Sequence, residues 1–345
     1  MNKNISKQIK QSETTSWKTV VKGSYVYVLL ILVVIILSVL KQGEGSIFGR
    51  GHFLNWNGNI VNLLRNAVPI FTLSGGFTLL VIAGYLDLSV GSAMSLGSVT
   101  YVLLLLNNFG FFPALILTLL LGIVLGFING LIVLKLRITP VIATLITLNV
   151  YQGIARLLVR PGDRGIGSYG TKSLPDWINN YGRASFLNLG LPLAFFVAIA
   201  VIAILVIIQR KTILGKYAVA IGGNKLAAEL SGINTTKIVW LLYIMVGFLA
   251  ALAAVARASY MSFGDPAAGL GMEVDVIIAV LLGGTLFAGG EGSVLKSAVG
   301  ALIIMCITSG LMTVLPSYWQ SFIKGAILVF AVTLSTLLVR EKAIV

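Results

Sequence analysis

The sequence has one cysteine, Cys306, and one histidine, His52. A lone cysteine excludes an intramolecular disulfide framework and a cysteine-built zinc site. A lone histidine excludes paired-histidine metal ligation and argues against a Ser-His-Asp triad, so both residues read as incidental. No G-x-x-x-x-G-K-[ST] run occurs, and an ATPase driving this chain would therefore be another subunit. Charge is scarce: Asp, Glu, Lys and Arg make up 10% of the 345 residues, where soluble domains carry about 25%. Apolar residues reach 57%, more than a soluble globule can hide, so the solvent is lipid.

The net charge of +14 does not point to nucleic acid. The basic residues sit at the ends of apolar runs, as membrane topology requires, and the polar loops contain no recognition module. Residues 1–23 are polar and basic, but the apolar stretch behind them lacks a small-residue cleavage site and reads as a retained first span. Ten apolar stretches approach the length a bilayer demands, at 24–40, 60–83, 88–106, 112–134, 139–159, 190–208, 238–260, 273–288, 294–314 and 319–339. The eighth is short and glycine-rich, which predicts a partly re-entrant segment. The fold class is therefore all-α, a polytopic membrane protein of about ten transmembrane helices, some short or broken. With a cytoplasmic N-terminus, fourteen Lys and Arg fall inside and six outside, which places both termini in the cytoplasm. The organisation is a cytoplasmic segment 1–23, a transmembrane domain 24–339 and a cytoplasmic tail 340–345. Two polar insertions interrupt the domain, an external loop at 160–189 and a cytoplasmic loop at 209–237.

Acids near membrane depth are expensive and informative. Asp87 lies in Gly84-Tyr85-Leu86-Asp87-Leu88-Ser89-Val90-Gly91, where flanking glycines predict a helix break. There a carboxylate can accept bonds from freed backbone N–H groups, and this capping role outweighs a substrate or proton site. Glu273 and Asp275 open the eighth span, where the helix dipole favours carboxylates. Their two-residue spacing aims them apart. The glycines of Gly283-Gly284 and Gly289-Gly290 allow a tight turn or close packing, and their likeness to the stretch near 84–97 hints at two related halves. Arg156, Arg257 and Lys296 lie near span ends, where snorkelling is the default. Asn129, Thr144, Thr147 and Asn149 put hydrogen-bonding groups inside the fourth and fifth spans. Interhelical bonds are the ordinary use of such groups, and a path for a polar solute is the other.

In the cytoplasmic loop, Asn224 reads as an N-cap, followed by a short Ala/Leu helix and a stop at Gly232. So short a helix is unstable alone and needs a surface, either this protein's own membrane domain or a cytoplasmic partner.

At these residues the chain closely resembles the membrane permease subunits of ribose-type ABC importers, over roughly residues 60–337. The resemblance rests on Asn62-Leu63-Leu64-Arg65, the block Asp87 to Gly91, Gly126 to Gly130, and Pro140 to Leu145. It continues through Ala220 to Asn224, Leu230 to Asn234, Gly283-Gly284-Thr285 and Gly289-Gly290. Departures are Lys216 for a usual Arg, Leu214 for an aromatic, and Lys296 for a small residue. The resemblance implies a bacterial cytoplasmic (inner) membrane protein and a dimer with a second permease copy or a sister permease. It also implies cytoplasmic ATP-binding subunits and an extracytoplasmic sugar-binding protein. ATP and magnesium would sit on the ATPase, leaving this chain without cofactor or enzymatic chemistry. The coupling helix that enters a groove of the ATPase then falls on Gly222, Gly223, Asn224, Ala227, Ala228, Leu230, Ser231 and Gly232. Asn129, Thr144, Thr147 and Asn149 become the substrate-path candidates. Asp87, Ser89, Gly91, Glu273, Asp275, Gly283 and Gly284 are structural-motif residues. Import of a ribose-like pentose or hexose by alternating access is the function this implies. An ion-coupled secondary sugar transporter, with Asp87 titrating, is the alternative.

Overall fold

The computed structural model describes residues 24–39, 52–168, 173–175, 177–186, 189–311 and 317–343. The segment 1–23, parts of the 160–189 loop including Lys172, and Lys41, Arg50 and the last two residues lie outside the described residues.

The described chain is helical: α1 (Ser24–Val39), α2 (Val61–Ile82), α3 (Val90–Leu106), α4 (Phe111–Leu134), α5 (Pro140–Leu157), α6 (Trp177–Gly182), α7 (Leu193–Lys211), α8 (Ile213–Gly223), α9 (Lys225–Leu230), α10 (Thr235–Met261), α11 (Met272–Leu282), α12 (Val294–Leu311) and α13 (Ser317–Ala343). Each of the ten apolar stretches carries one helix. Four described segments, Gly58–Ile82, Phe111–Leu134, Leu193–Lys211 and Thr235–Met261, are long and apolar enough to cross a membrane unaided.

Helix ends follow local chemistry. Pro140 starts α5 at a position where its missing N–H costs nothing. Asn224 and Asn234 cap α9 and α10, their side-chain oxygens each accepting a backbone N–H at 3.0 Å, from Ala227 and Lys237. Gly232, at φ +83°, stops α9 as expected. The eighth stretch ends earlier than its composition suggests, at Leu282 rather than 288. There Gly284 turns left-handed, its N–H bonding Leu281 O while Thr285 N bonds Val280 O. Helix α2 closes with the same motif: Gly84 N bonds Val81 O and Tyr85 N bonds Leu80 O. With 11 residues, α11 is about 16 Å long at 1.5 Å per residue, half the hydrocarbon thickness. The segment 262–271 leading into it is non-helical and lies on α3, with Gly269 N donating to Ser95 Oγ at 2.9 Å.

Helix α10 is the hub, packed on α4, α2 and α3. Its contact with α4 is made by glycines one turn apart, Gly122, Gly126 and Gly130. A Cβ at Gly122 would stand 2.6 Å from Ala251 Cβ and on Gly247 O, and one at Gly126 would stand 2.9 Å from Ile244 Cα. The backbones meet because these residues have no side chains, the usual logic of helix association in lipid. The large side chains of α4, including Phe112, Leu120, Val124 and Phe127, point outward. Gly126→Leu should cost at least about 3 kcal/mol by overpacking. Gly153→Ala, where nothing lies within 4 Å, should be neutral or stabilising. Unfolding in detergent would measure both, and equal behaviour of the two variants would refute this account of the interface.

Arg257 departs from the snorkelling expectation. It is partly buried, and its Nη1 donates to Asn66 Oδ1 at 2.9 Å, tying α10 to α2.

Candidate functional site

Two features stand out, a small helix on the polar face and a buried polar network behind it. Helix α9 divides the residues expected to meet a partner. Ala228 is 4% exposed and packs into the protein's own core, so it belongs to the inner face of α9. Gly222 is also turned inward. Asn224, Ala227, Leu230, Ser231 and Gly232 are exposed, as is Gly223. The outer apolar surface consists of Leu230, 82% exposed, and Leu226, 66% exposed, one turn apart. Leu226 is absent from the sequence-derived set, although its four-residue spacing from Leu230 marks it.

Gly222 anchors this element. A Cβ there would fall on Ile82 O and Gly290 N, and Gly290 N itself donates to Ile82 O at 2.7 Å. Three chain segments thus meet backbone to backbone: the end of α8, the end of α2 and the loop before α12. Gln209 on α7 holds the same loop from behind. Its Nε2 donates to Gly292 O at 2.8 Å and its Oε1 accepts Val294 N at 2.9 Å.

The polar network begins seven residues beyond Leu80 at Asp87, which is 2% exposed. Its Oδ1 accepts Ser89 N at 2.9 Å and Ser89 Oγ at 2.7 Å. Its Oδ2 accepts Asn129 Nδ2 at 3.0 Å, and the same amide donates to Ser89 Oγ at 2.7 Å. Asn129 Oδ1 then accepts the Tyr151 hydroxyl at 3.1 Å, a proton shared with Leu125 O at 3.0 Å. Tyr243 of α10 donates to Leu86 O at 3.0 Å. Asn129 is 1% exposed, with both amide hydrogens engaged inside the chain. Thr144 and Thr147 are buried and bond to their own helix at Pro140 O and Thr144 O. Asn149 alone of the four faces outward, with its amide on Leu145 O.

The remaining motif residues are packing and pairing groups. Gly91 lies against Gly269 O and the Glu273 carboxylate, where no side chain would fit. A Cβ on Gly283 would meet Ser297 N at 2.5 Å, and one on Gly284 would meet Tyr25 OH at 2.6 Å. Asp275 pairs with Lys324 of α13, whose Nζ lies 2.8 Å from both carboxylate oxygens. Lys324 is the partner the sequence reading lacks, although it is a lone cation in an apolar span. On the opposite side, a cavity of about 740 Å³ lies between the end of α5 and the segment after α10. Arg156, Arg160 and Arg164 line it with Asp163 and Asp265.

The family model for the permease component of branched-chain amino acid transport systems matches residues 59–332. The chain belongs to this permease family. A ribose import permease of Haemophilus influenzae is 32% identical to the permease over 317 residues, covering 92% of this chain and 94% of the relative. That of Bacillus subtilis is 35% identical over 277 residues, 80% and 84% of the two chains. A galactofuranose transporter permease of Escherichia coli is 35% identical over 256 residues, 74% and 72%. No solved structure matches the permease. The matched region runs from the start of α2 into α13 and contains both the α8–α9 element and the Asp87 network.

Proposed function

We propose that the permease is the membrane subunit of an ATP-driven importer for a monosaccharide, a ribose-like pentose or a hexose, in a bacterial cytoplasmic membrane. The family is described for branched-chain amino acids, but the similar proteins carry sugar names: ribose, galactofuranose and fructose. Both termini lie in the cytoplasm, a second permease copy or sister permease completes the path, and a sugar-binding protein docks outside near the arginine-lined cavity and the 160–189 loop. ATP and magnesium reside on separate ATPase subunits.

The observation that carries this reading is the exposed Leu226–Leu230 pair on a six-residue helix. Such a helix gains stability by docking, and its inner face is already docked through Ala228. The outer pair is left to enter a groove on another protein. Closure of the ATPase dimer pushes α9, and Gly222 passes the displacement to the ends of α2 and the loop before α12. Asp87 is enclosed by three donors from its own chain, which speaks against a titrating ion-carrier site. Leu230→Arg should abolish co-purification of the ATPase subunits while the permease remains folded in the membrane. Ala228→Arg should lower the amount of folded permease itself. Uptake of labelled ribose and leucine tests the solute class. Retention of the ATPase by Leu230→Arg, or ATP-driven uptake of leucine in place of ribose, would overturn the respective half of the reading.

A further inference from the structure

We infer that Asp87, Ser89, Asn129 and Tyr151 form a positioning device that ties α5 to the α2–α3 junction and carries displacement of the α8–α9 element to α5. This rests on the importer reading above.

The linkage is continuous through backbone and buried side chains. Gly222 touches Ile82, the last residue of α2, and Ile82 O is pinned by Gly290 N. From there the chain runs through the left-handed Gly84 to Leu86, whose carbonyl accepts Tyr243 OH, and to Asp87. Asp87 and Ser89 bind the Asn129 amide of α4, and Asn129 binds the Tyr151 hydroxyl of α5. The hydrogen-bonding side chains Asp87, Ser89, Asn129, Tyr151 and Tyr243 are each at most 3% exposed, so water does not compete for their bonds.

Helix α5 is built to respond to such a tie. Its buried face consists of Ala143, Thr144, Thr147, Tyr151 and Ala155, so Tyr151 is its one large inward side chain. The threonine hydroxyls bond within α5. The opposite face, from Val141 through Ile146, Val150 and Leu157, is exposed. The Tyr151 proton is shared between Asn129 Oδ1 and Leu125 O, acceptors one turn apart on α4. A shift of the Asp87 junction that draws Asn129 away leaves the hydroxyl bonded to Leu125 O, with no donor stranded. That gives the contact two bonded arrangements, which a coupling element requires and a purely structural bond does not.

The test uses the complete importer, reconstituted with its ATPase and binding protein. Tyr151→Phe removes one oxygen and keeps the ring. Sugar uptake should fall about tenfold while binding-protein-stimulated ATP hydrolysis stays within about twofold, so more ATP is spent per sugar. Asn129→Leu should give the same uncoupling, and the double variant should be no worse than the more severe single variant. Gln152→Ala cuts a different α5 tether, the 2.6 Å bond from its Nε2 to Pro266 O, and should leave the ratio of ATP to sugar unchanged. Parallel loss of uptake and hydrolysis in Tyr151→Phe overturns the inference, as does an unchanged ratio. A wild-type complex that moves no sugar with ATP overturns the importer reading and this inference together.

Discussion

Replacing Gly222 by alanine should nearly abolish import, whereas the same change at Gly223 should leave it intact. The two residues are neighbours at the end of α8, and composition treats them alike. An alanine Cβ at 222 meets backbone atoms on two other segments, Ile82 O and Gly290 N, with Ile82 C at 2.9 Å. Backbone held by its own hydrogen bond cannot rotate away as a side-chain tip can. The segments must separate, which breaks the Gly290 N to Ile82 O bond at the point where α8, α2 and the loop before α12 join. Overpacking of this kind costs roughly 1–3 kcal/mol, and the same shift in the coupling equilibrium lowers uptake about 5- to 150-fold. At Gly223 nothing lies within 4 Å of the added carbon. Uptake normalised to the amount of permease in the membrane is the measurement, and equal rates for the two variants would sink the assignment of this junction.

The second large effect concerns the α11–α13 pair. Asp275 is 13% and Lys324 22% exposed, with 2.8 Å between the charges. Lys324→Met leaves a carboxylate in the membrane region without its cation and should destabilise the folded protein by about 3 kcal/mol, the low end for a broken buried pair. Asp275→Leu should cost less, because a lysine stem can reach toward the interface and a short aspartate cannot. The Asp275→Leu/Lys324→Met double variant should recover most of the loss, since neither charge is then stranded. Denaturation in mixed detergent gives all three values. A double variant as unstable as the sum of the singles would show that the pair is not what holds α13 against α11.

Length and local chemistry explain what the sequence discloses. Apolar runs of bilayer length locate the spans, and the Asn224 cap with the Gly232 stop defines α9, because each depends on residues close in the chain. Which face of α9 looks outward depends on the surface it docks on, so the local sequence does not disclose that Ala228 is buried and Leu226 exposed. Asn129 illustrates the same limit. A polar side chain inside a span suits a solute path or a bond to another helix, and the choice rests on Asp87, 42 positions away. The four-residue spacing of Gly122, Gly126 and Gly130 announces a close helix contact in lipid. It does not say that α10 is the partner. Lys324 is equally visible as a cation in an apolar span and equally silent about Asp275.

The shortness of α11 also governs how the chain enters the bilayer during synthesis. Eleven residues with Glu273 and Asp275 in the first turn are too short and too polar for the insertion machinery to pass into lipid as an independent span. The cation that matches Asp275 emerges from the ribosome 49 residues later. Until α13 arrives, α11 must wait in the translocon or against the helices already inserted, with its carboxylates in water. Settling of α11 is therefore coupled to the arrival of α13. A chain broken off after α12 leaves Asp275 without its cation.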